Sequence, residues 1–261
     1  MNRAARSGRD LAGWSHFLTG YHTRYPGITE RTLGLARGDG VDPYTWVLDA
    51  VGAGPLVVDL ACGNGPLHPR RPPGTWIGID RSSAELDLAL RRGASPLIRA
   101  DAARLPIADR SVPAVVCSMA LMILQPVDDV LSEISRILDV DGVAAVMIPG
   151  RRPLTRTDIL RYSKLMVALR RTHLAYPNLR AFIRLHQLAQ RAGLRVLDDR
   201  RRRFSLPLPD RAAADQFVRS FYLPGAPDSR IQAASRLAGR WAGSDMGIPL
   251  RRITLRKQTP S

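Results

Sequence analysis

The sequence predicts an α/β chain built on a doubly wound, mostly parallel sheet of seven strands, and three observations carry that expectation. Short apolar runs recur without internal alternation, as expected of strands buried on both faces. Helical segments lie between them, which implies right-handed βαβ crossovers. The first run ends in an aspartate and a glycine-rich turn, VVDLACGNGPL at 57–67.

LVVDL (56–60) is the first strand, TWIGID (75–80) the second and SPLIRAD (95–101) the third. VPAVVCSMAL (112–121), VAAVMIP (143–149) and GLRVLDD (193–199) follow. RRITLRK (251–257) alternates and predicts an edge strand. SAELDLALRRG (83–93) carries a serine cap, acids in its first turn and a terminal glycine, and so predicts a helix. DDVLSEISRILDVDG (128–142) places Val130, Leu131, Ile134, Ile137 and Leu138 on one stripe. NLRAFIRLHQLAQRAG (178–193) begins at an asparagine cap. LHPRRPPG (67–74) is too rich in proline for a full crossover helix after the first strand.

Three segments fall outside this rhythm. Residues 1–50 hold Trp14, His16, Tyr21, His22, Tyr25 and Trp46 ahead of the first strand and are expected to form a helical lid. Residues 51–261 form the core, with helical inserts at 153–176 and 204–250. The chain has 261 residues, enough for one large domain or a domain with a cap. No apolar run reaches the ~18–20 residues that span a bilayer, so no membrane association is expected. Cys62 and Cys117 offer no disulfide framework and no metal-ligand spacing, which suits a cytoplasmic protein without a metal site.

The formal net charge is +16, nearly all of it arginine. Such an excess fits a phosphate-bearing partner, but it also fits scattered, solvated arginines. The pairs and the run Arg200–Arg203 spread along the chain without interleaved aromatics, so nucleic acid is possible but not favoured.

In open α/β sheets, ligands sit beyond the carboxyl ends of the strands at the switch point. Gly63-Asn64-Gly65 would let backbone approach a ligand there. Asp80 ends the second strand, where an acid can accept both hydroxyls of a ribose. Asp101, followed by Ala102, ends the third and can accept from an exocyclic amine such as adenine's. SMAL (118–121) ends the fourth and would floor the ligand. Each aspartate alone would also serve as a cap; their order and spacing make the case.

At these residues the chain resembles the class I S-adenosylmethionine-dependent methyltransferases of the small-molecule type, with their Rossmann-like fold. VVDLACGNG resembles the family's first motif, and GIDRSSAEL (78–86) its acidic second motif. RADAARLPIADRSVPAVVCSMAL (99–121) resembles "D-A-x-x-L-P-F-x-D-x-S-x-D-x-V", with Pro113 in place of the last aspartate. EISRILDVDG (133–142) resembles "E-x-x-R-V-L-K-P-G-G". The resemblance covers about residues 55–150. It implies S-adenosyl-L-methionine as cofactor, with Asp59, Leu60, Ala61, Cys62, Gly63 and Gly65 around its methionine part. It puts Asp80 and Arg81 at the ribose, Asp101 and Ala102 at the adenine, and Ser118, Met119 and Ala120 on the sulfonium side. Asp59 would organise the turn and approach the amino group, and Tyr21 of the lid would reach the carboxylate. A nicotinamide dinucleotide would want a third glycine where His68 stands.

The acceptor pocket is expected from the lid and the two inserts, with His22 and His173 as candidate bases, each of which also fits a structural or surface role. The expected reaction is methyl transfer to a small molecule at oxygen or nitrogen. The alternatives are an RNA methyltransferase that uses the basic surface and a non-catalytic cofactor-binding module. The sequence names neither the acceptor nor the oligomeric state.

Overall fold

The computed structural model describes residues 3–53, 56–178 and 183–258. The chain opens with α1 (Arg3–Arg24), α2 (Ile28–Gly34) and α3 (Pro43–Leu48). The core then runs β1 (Val57–Leu60), β2 (Trp76–Asp80), α4 (Ser83–Arg91), β3 (Leu97–Arg99), β4 (Val112–Ser118), α5 (Val127–Ile137) and β5 (Leu138–Pro149). It continues through α6 (Arg156–Leu169), α7 (Leu185–Arg191), β6 (Leu194–Leu208), α8 (Arg211–Arg219), α9 (Asp228–Ala238) and β7 (Ser244–Lys257).

The strands form one seven-stranded sheet in the order β3-β2-β1-β4-β5-β7-β6. β3, β2, β1, β4 and β5 are parallel to their neighbours, and β7 is antiparallel to both β5 and β6. The order reverses between β1 and β4, so the switch point lies at their carboxyl ends. Val58, Leu60, Val115 and Cys117 face one core half, where α5 and α7 cover them. Val57, Ala114, Val116, Ala145 and Met147 face the other, under α3, α6, α8 and α9. Val130, Leu131, Ile134 and Ile137 of α5 have no exposed surface. Their stripe buries about 1.5–3 kcal/mol per large side chain.

Several expected elements differ. The proline-rich stretch after β1 holds only a 3₁₀ turn, His68–Arg70. α5 ends at Ile137 and β5 starts at once with Leu138, so Asp139–Gly142 belong to the strand. The register shift between Val112 and Ala114 absorbs those extra residues. Asn178 donates its side-chain amide to Leu121 O (3.0 Å), strapping the chain to the segment after β4. The first turn of the helix it is expected to cap, 179–182, lies outside the described residues. The expected edge strand at 251–257 is interior, with β7 between β5 and β6. Arg252, Ile253, Thr254 and Leu255 are all buried because both faces of β7 are covered. β6 is the edge, and it runs on to Leu208 because Phe204, Leu206 and Leu208 alternate inward. The second insert therefore shrinks to 209–243.

Asp158 ties α6 to this antiparallel end. It forms a capping box with Thr155, accepts the Arg203 guanidinium at 2.7 and 3.0 Å, and accepts Gly247 N–H at 2.9 Å. Burial alone would raise its carboxyl, but the Arg203, Thr155 and Gly247 donors outweigh it and hold it well below the usual carboxylate range. A carboxyl lowered in the fold contributes stability above its unfolded value and loses it as pH falls through the folded one. Asp158→Ala should cost ~3 kcal/mol in denaturant unfolding at pH 7, and the deficit should shrink below about pH 4. A pH-independent loss would assign Asp158 to packing alone.

Candidate active site

β1, β2, β3 and β4 end on one side of the sheet, and a cavity of about 340 Å³ opens there, roofed by α1 and the start of α2. Leu60, Ala61 and Gly63 line it from the first turn. Gly63 takes φ +54°, and a Cβ there would lie 2.6 Å from Glu30 Oε1. Asp80 lines the cavity at the tip of β2. Its Oδ2 accepts Gly63 N–H at 2.8 Å and its Oδ1 accepts Ser82 N–H at 2.8 Å, so it fixes the turn as well. Burial pushes its carboxyl upward. Arg81, Asp101 and Ala102 continue the wall. Asp101 is exposed and its Oδ1 accepts Ala103 N–H at 2.8 Å. Ser118, Met119 and Ala120 line the opposite side.

Asp59, Cys62, Gly65 and Tyr21, four of the expected site residues, lie elsewhere. Asp59 is 1% exposed and accepts Trp76 Nε1–H at 3.2 Å on the far face of β1; burial pushes its carboxyl up to about 8. The Cys62 thiol is buried toward Gly78. Gly65, at φ +73°, packs where a Cβ would meet Ala94 Cβ at 3.1 Å. Tyr21 turns its hydroxyl to Arg219 O (2.9 Å) and packs on the Tyr222 ring.

Some residues that sequence reasoning passed over stand in the wall. Glu85, 1% exposed, accepts Gly27 N–H with both oxygens, at 3.1 and 3.2 Å, and pairs with His22 Nδ1 at 2.8 Å. The His22 Nε2 lies 3.5 Å from the Tyr222 hydroxyl. Burial alone would lower the His22 imidazole, but the hydrogen bond to Glu85 outweighs it and the net shift is upward. Glu30 also lines the cavity; burial, and next the neighbouring Glu85, push its carboxyl up to about 7. Glu85 looks like an ordinary first-turn acid in sequence, and only the distant Gly27 corner makes it a buried one.

A second cavity of about 720 Å³ adjoins the first, and Thr29, Met119 and Tyr222 line both. Its walls are apolar: Leu33 from α2, Met122 after β4, Leu154 and Met166 around α6, and Phe217 and Phe221 after β6. His173 and Arg151, both exposed, stand at its edge. Among the described residues no cluster of three metal-ligating side chains occurs, and no helix is long and apolar enough to cross a membrane.

Residues 58–146 match the methyltransferase-domain family, over the strands that build the first cavity. Over that stretch the chain is similar to methyltransferase domains. The chain is 35% identical over 109 residues to the demethylmenaquinone methyltransferase of Lactobacillus johnsonii. That stretch covers 37% of this chain and 45% of the relative, so the chain matches less than half of the relative's length. Its fold is shared with the [4+2]-cyclase SpnF, at TM-score 0.54 and 20% identity over 83% of this chain and 80% of that one. A proposed methyltransferase of Bacillus halodurans matches at TM-score 0.56 and 15% identity, over 83% of this chain and 99% of that one.

The two turn glycines therefore separate by position. Gly65→Ala should cost ~1–3 kcal/mol of stability through backbone strain and the Ala94 contact, with cofactor affinity changed less than about twofold. Gly63→Ala should weaken cofactor binding far more, because its methyl group enters the cavity. Thermal melts and calorimetric titration check both; equal losses of affinity would put Gly65 at the cavity too.

Proposed function

We propose that this chain transfers a methyl group from S-adenosylmethionine to a small, largely apolar acceptor, at oxygen or nitrogen. One observation carries the reading: a polar cavity at the switch point meets an apolar one, and the two share Thr29, Met119 and Tyr222. Transfer from a sulfonium is an in-line displacement whose demand is proximity and alignment. Two cavities meeting over three side chains supply that geometry. The name of the Lactobacillus johnsonii relative, which acts on demethylmenaquinone, supports an apolar acceptor.

The first cavity fits the cofactor on its own features. Gly63 leaves room that a Cβ would fill, Asp80 offers carboxylate oxygens at the strand tip, and the lining holds several acids for a cationic ligand. In this reading Leu60, Ala61 and Gly63 cradle the methionine part and Asp80 the ribose, with Arg81 beside it. Asp101 and Ala102 hold the adenine, and Ser118 to Ala120 face the sulfonium. S-adenosylmethionine supplies a methyl group activated by the sulfonium charge. His22 is the base for a hydroxyl acceptor. Tyr222 stands between His22 and the shared wall, and Glu85 holds the imidazole by its other nitrogen. His173 stands exposed at the edge of the acceptor cavity and, among the described residues, hydrogen-bonds Thr172 Oγ1 at 2.9 Å, which suits a surface role better than a base.

The arginine run does not by itself favour RNA, because each of its members pairs with an acid of the fold. Arg200 and Arg252 pair with Asp198, Arg201 and Arg251 with Asp199, Arg202 with Asp39, and Arg203 with Asp158. The two free cysteines are buried, which accords with a reducing cytoplasm.

Methyl-labelled cofactor incubated with a metabolite extract should give label in the organic-extractable fraction. Label confined to RNA, or to no fraction, would overturn the reading. His22→Gln should lower turnover of a hydroxyl acceptor ~10²-fold or more and change cofactor affinity far less. Wild-type turnover should rise with pH through a value above the ordinary imidazole range, because the base must be neutral, and the variant should lose that limb. An unchanged profile would return His22 to its structural pairing with Glu85.

A further inference from the structure

We propose that Glu30, carried on the lid, is the carboxylate that receives the ammonium group at the amino-acid end of the cofactor. The inference rests on the first cavity being the cofactor site and assigns to Glu30 the place the sequence reserves for Asp59.

Asp59 cannot take that place from where it sits, with its carboxylate spent on Trp76 behind the sheet. Glu30 reaches the same turn from the other side. Its Oε1 sits over Gly63, the one turn glycine that opens the cavity. The fold sets this position. Gly27 turns the α1–α2 corner at φ +69°, Glu85 holds the Gly27 N–H, and Glu30 follows in the first turn of α2.

Glu30 forms no salt bridge among the described residues. Its charged neighbours are the carboxylates of Glu85 and Asp80 and the imidazole of His22. A carboxylate withdrawn from water without a cation is costly, and the two nearby acids add to that cost. A ligand ammonium relieves both terms. Behind the turn, outside the first cavity, a second polar group is unmet. Asn64 is 1% exposed, and neither its Nδ2 nor its Oδ1 has a hydrogen-bond partner. It lines a pocket of about 220 Å³ behind the turn, whose wall Glu30 shares. Glu30 is half-buried, lines both the first cavity and this smaller pocket, and stands over Gly63, where a ligand ammonium would meet it.

Two probes separate this role from a structural one. S-adenosylhomocysteine carries the amino-acid tail; 5′-methylthioadenosine has the same nucleoside and thioether but no tail. Calorimetric titration of the full chain with both compounds reads the difference. Glu30→Gln should weaken S-adenosylhomocysteine about tenfold or more and change 5′-methylthioadenosine less than about twofold. Glu30→Ala should show the same split, and Glu30→Asp should recover part of the loss. Equal loss of both probes would make Glu30 a structural residue, and no loss of either would remove it from the site. If wild-type protein binds neither compound, the cofactor reading fails before Glu30 is at issue.

Discussion

The cavity exists because a buried carboxylate clamps the lid. Glu85 lies in the first turn of α4, yet its oxygens are taken by Gly27 N–H and His22, 58 and 63 residues earlier in the chain. Without those partners a carboxylate at 1% exposure would cost several kcal/mol. With them, the α1–α2 corner can settle in one place only: over Gly63, with Glu30 turned inward and Thr29 at the boundary of the two cavities. The clamp thus converts a surface helix pair into the roof of a site. A mobile roof would let water reach the reacting atoms; a clamped one holds them in a dry, fixed geometry.

Charge is distributed against the average of the chain. A protein of net charge +16 lines its central cavity with Glu30, Asp80, Glu85 and Asp101 and places His22 and the rim arginines Arg81 and Arg99 as the only basic groups in that lining. Such an island pays a repulsion that burial enlarges, as the raised carboxyls of Glu30 and Asp80 record. The surplus of arginine elsewhere is absorbed along β6 and β7, where Asp198 and Asp199 each hold two guanidinium groups. Arginines on the solvent side of a long edge strand also discourage pairing with another sheet.

What could be read from the sequence was local. Apolar runs ending in Asp80 and Asp101 located the strand tips, because a buried parallel strand announces itself and its last residue is by construction near the switch point. The helix stripe of α5 was legible for the same reason. Misreadings arose where identity or direction depends on distant chain. Asp59 follows Val58 and precedes Leu60, so every residue around it is apolar and its orientation is invisible; period two puts it with Val57 on the Trp76 face. Asn178 also straps the chain to Leu121 O, a partner 57 residues away that no local pattern announces. β6 hid its second half because four arginines interrupt the run before Phe204, Leu206 and Leu208 resume the alternation. Glu30, Glu85 and Tyr222 come from three separate segments, and no spacing rule joins them.

The contrast between the two cavities sets a chemical constraint on what can happen where they meet. On one side lie carboxylates and a histidine; on the other Leu33, Met122, Met166 and Phe217 present only carbon and sulfur. Thr29, Met119 and Tyr222 stand at the boundary, and Tyr222 is the one among them whose hydroxyl reaches the polar side, at His22. An acceptor held by the apolar walls gains its affinity from burial, which orients weakly. The polar groups at the boundary must therefore do the orienting, and an acceptor with a single heteroatom near one end satisfies both requirements. A polar acceptor would leave the apolar walls unused and lose the hydration of its own groups, which is why the proposed acceptor is largely apolar.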